Sequence, residues 1–278
     1  MADVHNPIED YVLRSVVQER GRPKLQGNAV EKWTEQLLFW AGLKSGMRVL
    51  DVGCGLGDVS LIAARLVGTS GQVTAIDRDP VVIVNARQRV RDGGYGANID
   101  FIHSELLDFH AEHHFDAVVG RYVLFFQPDP LAAIVHASKQ ARPRAIIAFH
   151  EMDLFNRIRR YPDGTLIEKM YALIAEVDRR GGVRGDLGLH LAGLFLDAGL
   201  PWPMIKAEVP VGGKPGSFIF PWFLEILRSH LPRIEQFDLA TADELELDTL
   251  VARMETEAVT LHTPLIGPLQ FGAWTRNP

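Results

Sequence analysis

The sequence predicts an α/β fold built on a doubly wound, mostly parallel sheet. Between residues 47 and 150 of the 278-residue chain, short apolar segments alternate with segments of helical periodicity. This alternation implies right-handed crossovers between parallel strands. The apolar segments are nearly continuous, which is typical of strands that helices cover on both faces. Beyond residue 150 helical patterns dominate and predict a helical cap.

Seven segments have the apolar character of strands. They are MRVLDV (47–52), QVTAID (72–77), IDFIH (99–103), FDAVVG (115–120), RAIIAFH (144–150), MIKAEVPV (204–211) and PLQFGAWTRN (268–277). Helical patterns cover 59–68, 80–94, 164–182, 187–200, 216–230 and 242–261. The first two end in glycine, a residue that is common where helices stop.

Composition and charge exclude several function classes. The net charge is −6 and no run of Lys and Arg stands out, which argues against nucleic-acid binding. The single cysteine, Cys54, excludes an intrachain disulfide and a cysteine-based zinc site. The chain begins without a signal-peptide pattern, and its most apolar run is short and contains Arg121. We therefore expect a cytoplasmic protein that binds neither nucleic acid nor membrane.

The segment VLDVGCGLGDVS (49–60) predicts a ligand-binding loop between the first strand and the next helix. Its three glycines are Gly53, Gly55 and Gly57. Glycine lets a ligand approach the backbone closely, and open α/β sheets bind ligands beyond the carboxyl ends of their strands. The spacing G-x-G-x-G lacks the third glycine of the dinucleotide fingerprint. Asp51 and Asp58 would repel a pyrophosphate, whereas Asp51 suits a ligand with a positive centre.

A second acidic residue supports a nucleoside ligand. Asp77 ends the second strand, where a carboxylate can accept hydrogen bonds from both hydroxyls of a ribose. Together with the loop that precedes it, this residue predicts a site for a nucleoside without phosphates.

Four ordered motifs carry a family resemblance: VLDVGCGLGDVS, VTAIDRDP, FIHSELLDF and FDAVVGRYVLFFQPDP, which together cover about 47–130. They resemble the motifs of class I S-adenosylmethionine-dependent methyltransferases, and most closely those of the ubiquinone/menaquinone-biosynthesis type, which act on small molecules. The resemblance implies a seven-stranded Rossmann-like sheet with helices on both faces. It also implies S-adenosylmethionine as the cofactor.

The resemblance assigns the methionine and ribose ends of the cofactor. The loop from Asp51 to Gly57 would hold the methionine part, and Asp77 would bind the ribose hydroxyls. The loop residues concerned are Asp51, Gly53, Cys54, Gly55 and Gly57. Cys54 is equally compatible with a small buried side chain, because no basic neighbour in the sequence lowers its thiol pKa.

The adenine contacts follow by position. Arg78 would lie beside the adenine, and the backbone N–H of Leu106 would meet a ring nitrogen. Glu105 stands where the family has an aspartate that bonds the adenine amino group, so this contact departs from the family pattern.

The amino-acid end of the cofactor would lie near the end of the fourth strand. Gly120 and Arg121 occupy that place, and Tyr11 would close over it. The alternative for Tyr11 is that it packs an N-terminal helix.

The end of the core motifs near residue 150, and the lack of a linker rich in Ser, Gly or Pro after it, indicate the domain organisation. We predict a single methyltransferase domain over 1–278, with an N-terminal helical segment over 1–45 and a cofactor-binding core over 46–150. The cap is expected to consist of two helical insertions, 153–186 and 212–262. Its aromatic residues would suit an apolar or aromatic acceptor.

The catalytic candidates lie in FHEMD, at the end of the fifth strand. His150 is the predicted general base, because histidine titrates near neutral pH, and Glu151 is the predicted carboxylate that orients it. The alternative is that His150 packs a strand end and Glu151 caps the following segment. We predict no metal site.

The function predicted from these residues is methyl transfer to a hydrophobic small molecule by in-line displacement. Two alternatives keep the cofactor: an enzyme that catalyses a reaction other than methyl transfer, and a catalytically silent regulatory subunit. A nicotinamide-dependent oxidoreductase is the weakest alternative, because the third glycine of its fingerprint is missing. A homodimer is left open.

Overall fold

The computed structural model describes residues 29–94, 98–153, 165–181 and 185–278. These residues fall into two compact units. The sheet unit comprises Ala29–Met152, Leu187–Glu208 and Gln270–Pro278, and the helical unit contains the described residues of Asp153–Asp186 and Val209–Leu269.

The strands are β1 (Arg48–Val52), β2 (Gln72–Asp77), β3 (Ile99–His103), β4 (Phe115–Arg121), β5 (Ala141–Asp153), β6 (Met204–Glu208), β7 (Val211–Gly212), β8 (Leu265–Ile266) and β9 (Leu269–Arg276). The helices are α1 (Ala29–Ala41), α2 (Asp58–Val67), α3 (Pro80–Asp92), α4 (Pro130–Lys139), α5 (Leu166–Arg180), α6 (Leu187–Asp197), α7 (Ile219–Gln236), α8 (Ala242–Leu245) and α9 (Leu247–Thr260).

The sheet has seven strands in the order β3-β2-β1-β4-β5-β9-β6. Strands β1 to β5 pair in parallel with one another, and β6 pairs antiparallel with β9. The strand order reverses between β1 and β4, and ligands of open α/β sheets bind beside that point. The predicted fold class, a seven-stranded and mostly parallel α/β sheet, is confirmed.

Buried apolar residues and helix caps explain the core elements. In β1, Val49, Leu50 and Val52 have no exposed surface, as expected for a strand covered on both faces. Helix α3 begins where the Asp79 carboxylate accepts the backbone N–H of Val81 over 2.8 Å, with a proline as the first helical residue.

The observed bounds differ from the predicted ones at a few places. Strand β5 starts at Ala141, three residues earlier than predicted, because Arg142 and Arg144 are exposed and hide its apolar pattern. Helix α4 was not predicted. Helix α1 lies within the predicted segment 1–45, whose residues 1–28 are outside the described part of the chain.

The helical unit has its own core. Helices α5, α7 and α9 pack on one another, and Phe220, Trp222 and Phe223 of α7 are almost fully buried. Glu257 of α9 accepts the backbone N–H of Leu166 over 2.7 Å at the start of α5. These aromatic rings pack helices within the unit, and the role of 153–186 and 212–262 as a cap stays a prediction. Among the described residues, no helix combines the length and apolar character needed to cross a membrane.

Candidate functional site

We call the loop between β1 and α2, residues 53–57, the glycine loop. Its glycines adopt backbone conformations that other residues rarely adopt. Gly53 and Gly55 have φ angles of +61° and +53°, which side-chain-bearing residues rarely adopt. A Cβ on Gly53 would lie 2.6 Å from Cγ2 of Val123. By contrast, no atom of the described residues lies within 4 Å of a Cβ built on Gly55. The backbone at Gly55 therefore faces open space where a ligand can approach.

Asp77 ties this loop to the end of β2. Its Oδ2 accepts the backbone N–H of Gly55 over 2.9 Å, and its Oδ1 accepts the N–H of Asp79 over 3.0 Å. Partial burial raises the pKa of Asp77, and these two donors oppose the rise. Each oxygen of a carboxylate can accept a further bond. The geometry is therefore compatible with two additional donors, such as a pair of ligand hydroxyls.

Asp51 carries an unsatisfied carboxylate oxygen. The side chain is fully buried, and its Oδ2 accepts the Ser60 hydroxyl over 2.5 Å. The other oxygen, Oδ1, has no hydrogen-bond partner among the described residues. Burial raises the pKa of Asp51 to about 7, and Ser60 and Arg121 oppose the rise. An unpaired buried acceptor is costly, so this position favours a ligand that supplies a donor or a positive charge.

Arg121 belongs to an ionic cluster at the end of β4. Its guanidinium donates to Oδ2 of Asp58 over 3.1 Å and to the Thr34 hydroxyl over 3.3 Å. Arg89 bonds the other oxygen of Asp58 over 2.6 Å. Partial burial would raise the pKa of Asp58, but the two arginines outweigh it and hold that pKa below its usual range. Asp58 therefore stays anionic and holds Arg121 beside the glycine loop.

Other predicted cofactor residues occupy the same end of the sheet. Cys54 is buried, and burial raises the pKa of its thiol well above the usual range, so the thiol stays protonated. A Cβ on Gly120 would lie 3.0 Å from atoms of Phe149 and Val52, so a larger residue there would require these side chains to shift.

The residues predicted to contact adenine lie where β2 and β3 end. The backbone N–H of Ser104 donates to the carbonyl of Asp77 over 3.0 Å, which joins the two strand ends. Arg78 is half-buried, Glu105 is exposed and Leu106 is buried. Their contacts with a ligand stay predictions, and Tyr11 lies outside the described residues.

His150 is fully buried in a hydrogen-bonded chain of side chains. Its Nδ1 lies 3.0 Å from the Thr34 hydroxyl and its Nε2 lies 3.0 Å from Oε1 of Gln270. Because Gln270 Oε1 can only accept, Nε2 carries the proton and the lone pair of Nδ1 faces the Thr34 hydroxyl, which also donates to the carbonyl of Val30 over 2.8 Å. Burial, aided by the nearby positive charge of Arg121, lowers the pKa of His150 well below its usual range. The imidazole is therefore neutral at physiological pH.

Glu151 binds the segment that follows β4. No hydrogen bond between the side chains of Glu151 and His150 is found among the described residues. Its carboxylate accepts the backbone N–H groups of Val123 and Leu124 over 3.0 Å and that of Phe125 over 3.4 Å. Val123 is also the residue that packs against Gly53. Glu151 thus positions one wall of the glycine loop. The catalytic roles of His150 and Glu151 stay predictions.

Three residues that sequence reasoning missed complete the surroundings of His150: Thr34, Tyr122 and Gln270. The Tyr122 hydroxyl donates to Gln270, and its ring centroid lies 5.1 Å from that of His150. Tyr122 has a φ of +57°, a conformation that is rare without a structural or functional reason. The position of Tyr122 directly after Gly120 and Arg121 could have identified it as a site residue from the sequence. No sequence pattern marks Thr34 or Gln270.

Glu151→Gln is expected to change the pH dependence of stability. Burial raises the pKa of Glu151 to about 8, from an ordinary value of 4.5. Between these values the folded state holds a proton that the unfolded chain releases, so wild-type stability falls as the pH rises. The variant keeps the acceptor oxygen but cannot titrate. Its free energy of unfolding, relative to wild type, should rise from pH 5 to pH 8 in urea titrations, and a constant difference would contradict this.

No group of three or more His, Cys, Asp or Glu side chains within the described ranges could hold a metal ion.

The matching family model and the curated relatives are methyltransferases. Residues 43–180 match the model of a methyltransferase domain. The chain is 32% identical over 121 residues to the 2-phytyl-1,4-naphtoquinone methyltransferase of Synechococcus elongatus, covering 43% of this chain and 52% of that protein. It is 31% identical over 113 residues to the ubiquinone/menaquinone biosynthesis C-methyltransferase of Shewanella halifaxensis. That match covers 40% of this chain and 45% of that protein. The chain thus spans about half the length of the curated relatives it matches.

A solved structure shows the same fold. It is phosphoethanolamine N-methyltransferase 2 of Haemonchus contortus in complex with phosphomonomethylethanolamine and S-adenosylhomocysteine. The similarity has a TM-score of 0.53 at 18% identity and covers 89% of this chain and 53% of that one.

Proposed function

We propose that the chain is a class I S-adenosylmethionine-dependent methyltransferase that transfers a methyl group from S-adenosylmethionine to a hydrophobic small molecule. The observation that carries the proposal is the Gly55–Asp77 pair: an open backbone position is bonded to a carboxylate that can still accept two hydroxyls. A ribose meets that requirement, and the family's cofactor contains one.

The residues around the loop fit this cofactor. The sulfonium of the bound cofactor supplies a methyl group that is already activated. The chain therefore has to bind and orient the two substrates and exclude water from them. Asp51 fits the positively charged methionine part, because its buried Oδ1 needs a donor or a cation. Asp77 fits the ribose. A dinucleotide fits less well, because the loop lacks the third glycine of the dinucleotide fingerprint. The expected repulsion of a pyrophosphate by Asp58 does not support this argument, because Arg89 and Arg121 neutralise that carboxylate.

The acceptor is proposed to be an apolar, quinone-type small molecule. Two relatives carry quinone or quinone-biosynthesis names, and transfer of that substrate class to this chain is our inference. In-line displacement requires the acceptor atom to lie opposite the leaving sulfur. The cytoplasmic location, the absence of a nucleic-acid partner and the cap over 153–186 and 212–262 also stay predictions.

His150 is the proposed general base, provided that its Nδ1 can receive a proton past the Thr34 hydroxyl. A base needs a lone pair that the substrate proton can reach, and the free lone pair of His150 is on Nδ1. Nδ1 lies 3.0 Å from the Thr34 hydroxyl. Proton uptake from an acceptor therefore requires that Thr34 relay the proton or move aside. Glu151 contributes by holding Val123 and Leu124 against the glycine loop.

The proposal is tested with methyl-labelled S-adenosylmethionine and a panel of reduced naphthoquinones that lack a ring methyl group. Mass spectrometry should find the label in the acceptor and equimolar S-adenosylhomocysteine. Acceptor conversion without label would instead support a different cofactor-dependent reaction. Cofactor binding without turnover of any acceptor in the panel would favour the silent subunit and contradict the proposed activity.

A further inference from the structure

The sheet unit ends in a strand with an exposed surface. Strand β6 is the outermost strand and pairs antiparallel with β9 on its inner side. All five of its residues are exposed, whereas seven of the eight residues of β9 are buried or half-buried. An edge strand presents backbone N–H and C=O groups that can pair with a strand of another chain.

The surroundings of β6 are apolar. Trp202, which precedes β6, is 71% exposed, and within β6 Met204 is 60% exposed and Ile205 is 37% exposed. On α1, the exposed ring of Trp40 lies 3.8 Å from Nζ of Lys206. We call Trp40, Trp202 and Met204–Glu208 the edge surface. Exposed apolar patches of this kind mark interaction sites.

The two charges of β6 select a second copy as the partner. When two β6 strands pair antiparallel about Ala207, Lys206 of each copy lies opposite Glu208 of the other. Pairing about Lys206 would instead place two lysines opposite each other. Opposite charges across strands are stabilising and like charges are destabilising. The strand therefore carries its own electrostatic complement in one register.

We propose that the chain forms a homodimer in which the β6 strands of two copies pair antiparallel about Ala207. The dimer joins the two sheets edge to edge and covers the edge surface of both copies. Pro203 and Pro210 lie on either side of β6 and limit the length of the ladder, because proline has no N–H to donate. This inference is independent of the proposed methyl transfer.

Light scattering after size exclusion tests the dimer over a wide range of protein concentration. Wild type should be dimeric. Lys206→Glu and Glu208→Lys each convert both attractive pairs into repulsive ones, so each variant alone should raise the dimer dissociation constant at least about tenfold. Mixed in equal amounts, the acidic strand of the first variant meets the basic strand of the second, and the dimer should return. Return on mixing also shows that neither variant is misfolded.

Lys169→Glu is the matched control. It makes the same charge change at an exposed position of α5 that is not part of the edge surface, and it should leave the dimer intact. A monomeric wild type at every concentration would overturn the proposal. So would single variants that stay dimeric, or variants that remain monomeric when mixed. If the wild type is monomeric alone but binds an edge strand of a different protein, the edge surface is a site for that protein and the homodimer is contradicted.

Discussion

His150→Ala is expected to lower kcat by about 10²- to 10⁴-fold while leaving the dissociation constant of S-adenosylhomocysteine nearly unchanged. A general base contributes a factor of this size to the rate, and His150 has no hydrogen bond to the glycine loop. The measurement is a steady-state assay with an acceptor found by the labelling experiment, combined with a binding titration of the same preparation.

His150→Gln separates catalysis from positioning. A glutamine amide can bond both Thr34 and Gln270 but cannot take up a proton at neutral pH. If His150 is the base, this variant should be as slow as His150→Ala. Recovery of most of the wild-type kcat would contradict the base and leave His150 as a residue that positions its neighbours Trp33 and Tyr122, whose ring centroids lie 4.3 Å and 5.1 Å from its own.

Asp77→Ala is expected to weaken S-adenosylhomocysteine binding by about tenfold to a hundredfold. Loss of charge-assisted hydrogen bonds costs about 1.5–3 kcal/mol, and this variant also releases the backbone N–H of Gly55. Isothermal titration calorimetry measures the change directly.

Asp116→Ala is the control for the loss of a carboxylate. Asp116, like Asp77, accepts a backbone N–H, that of Arg48 over 2.8 Å. It lies near the start of β4 whereas Asp77 ends β2, so the two carboxylates lie at opposite ends of the parallel strands. This variant should bind S-adenosylhomocysteine as wild type does. Equal affinities of the Asp77 variant and wild type would mean that Asp77 does not face the ribose.

Local patterns predicted the elements of the fold well. Strands β2 and β3 have the predicted bounds, because each apolar segment is flanked by polar residues. Helix α4 was missed although Asp129 and Pro130 form a helix start that the sequence displays. The methyltransferase family predicted from four motifs agrees with the methyltransferase-domain model that matches residues 43–180.

The surroundings of the catalytic candidates could not be predicted in the same way. His150 contacts Thr34 and Gln270, which are 116 and 120 residues away in sequence. No local pattern records such a contact, because it arises only when α1, β5 and β9 pack together. Glu151 illustrates a related limit: a carboxylate next to a histidine suggested an orienting pair, but the structure uses it to hold three backbone N–H groups.

The central claim is that the glycine loop receives a nucleoside without phosphates, and calorimetry with S-adenosylhomocysteine and NADH on matched glycine variants tests it most directly. Gly55 and Gly199 both have positive φ angles, +53° and +77°, and a Cβ on either meets no described atom within 4 Å. Backbone strain should therefore cost both alanine variants about 1–3 kcal/mol of stability. Only Gly55→Ala should lose affinity for S-adenosylhomocysteine, by at least about tenfold, because its methyl group would occupy the ligand's place. Wild type should give no heat with NADH. Unchanged affinity in Gly55→Ala, or NADH binding as tight as that of S-adenosylhomocysteine, would contradict the account.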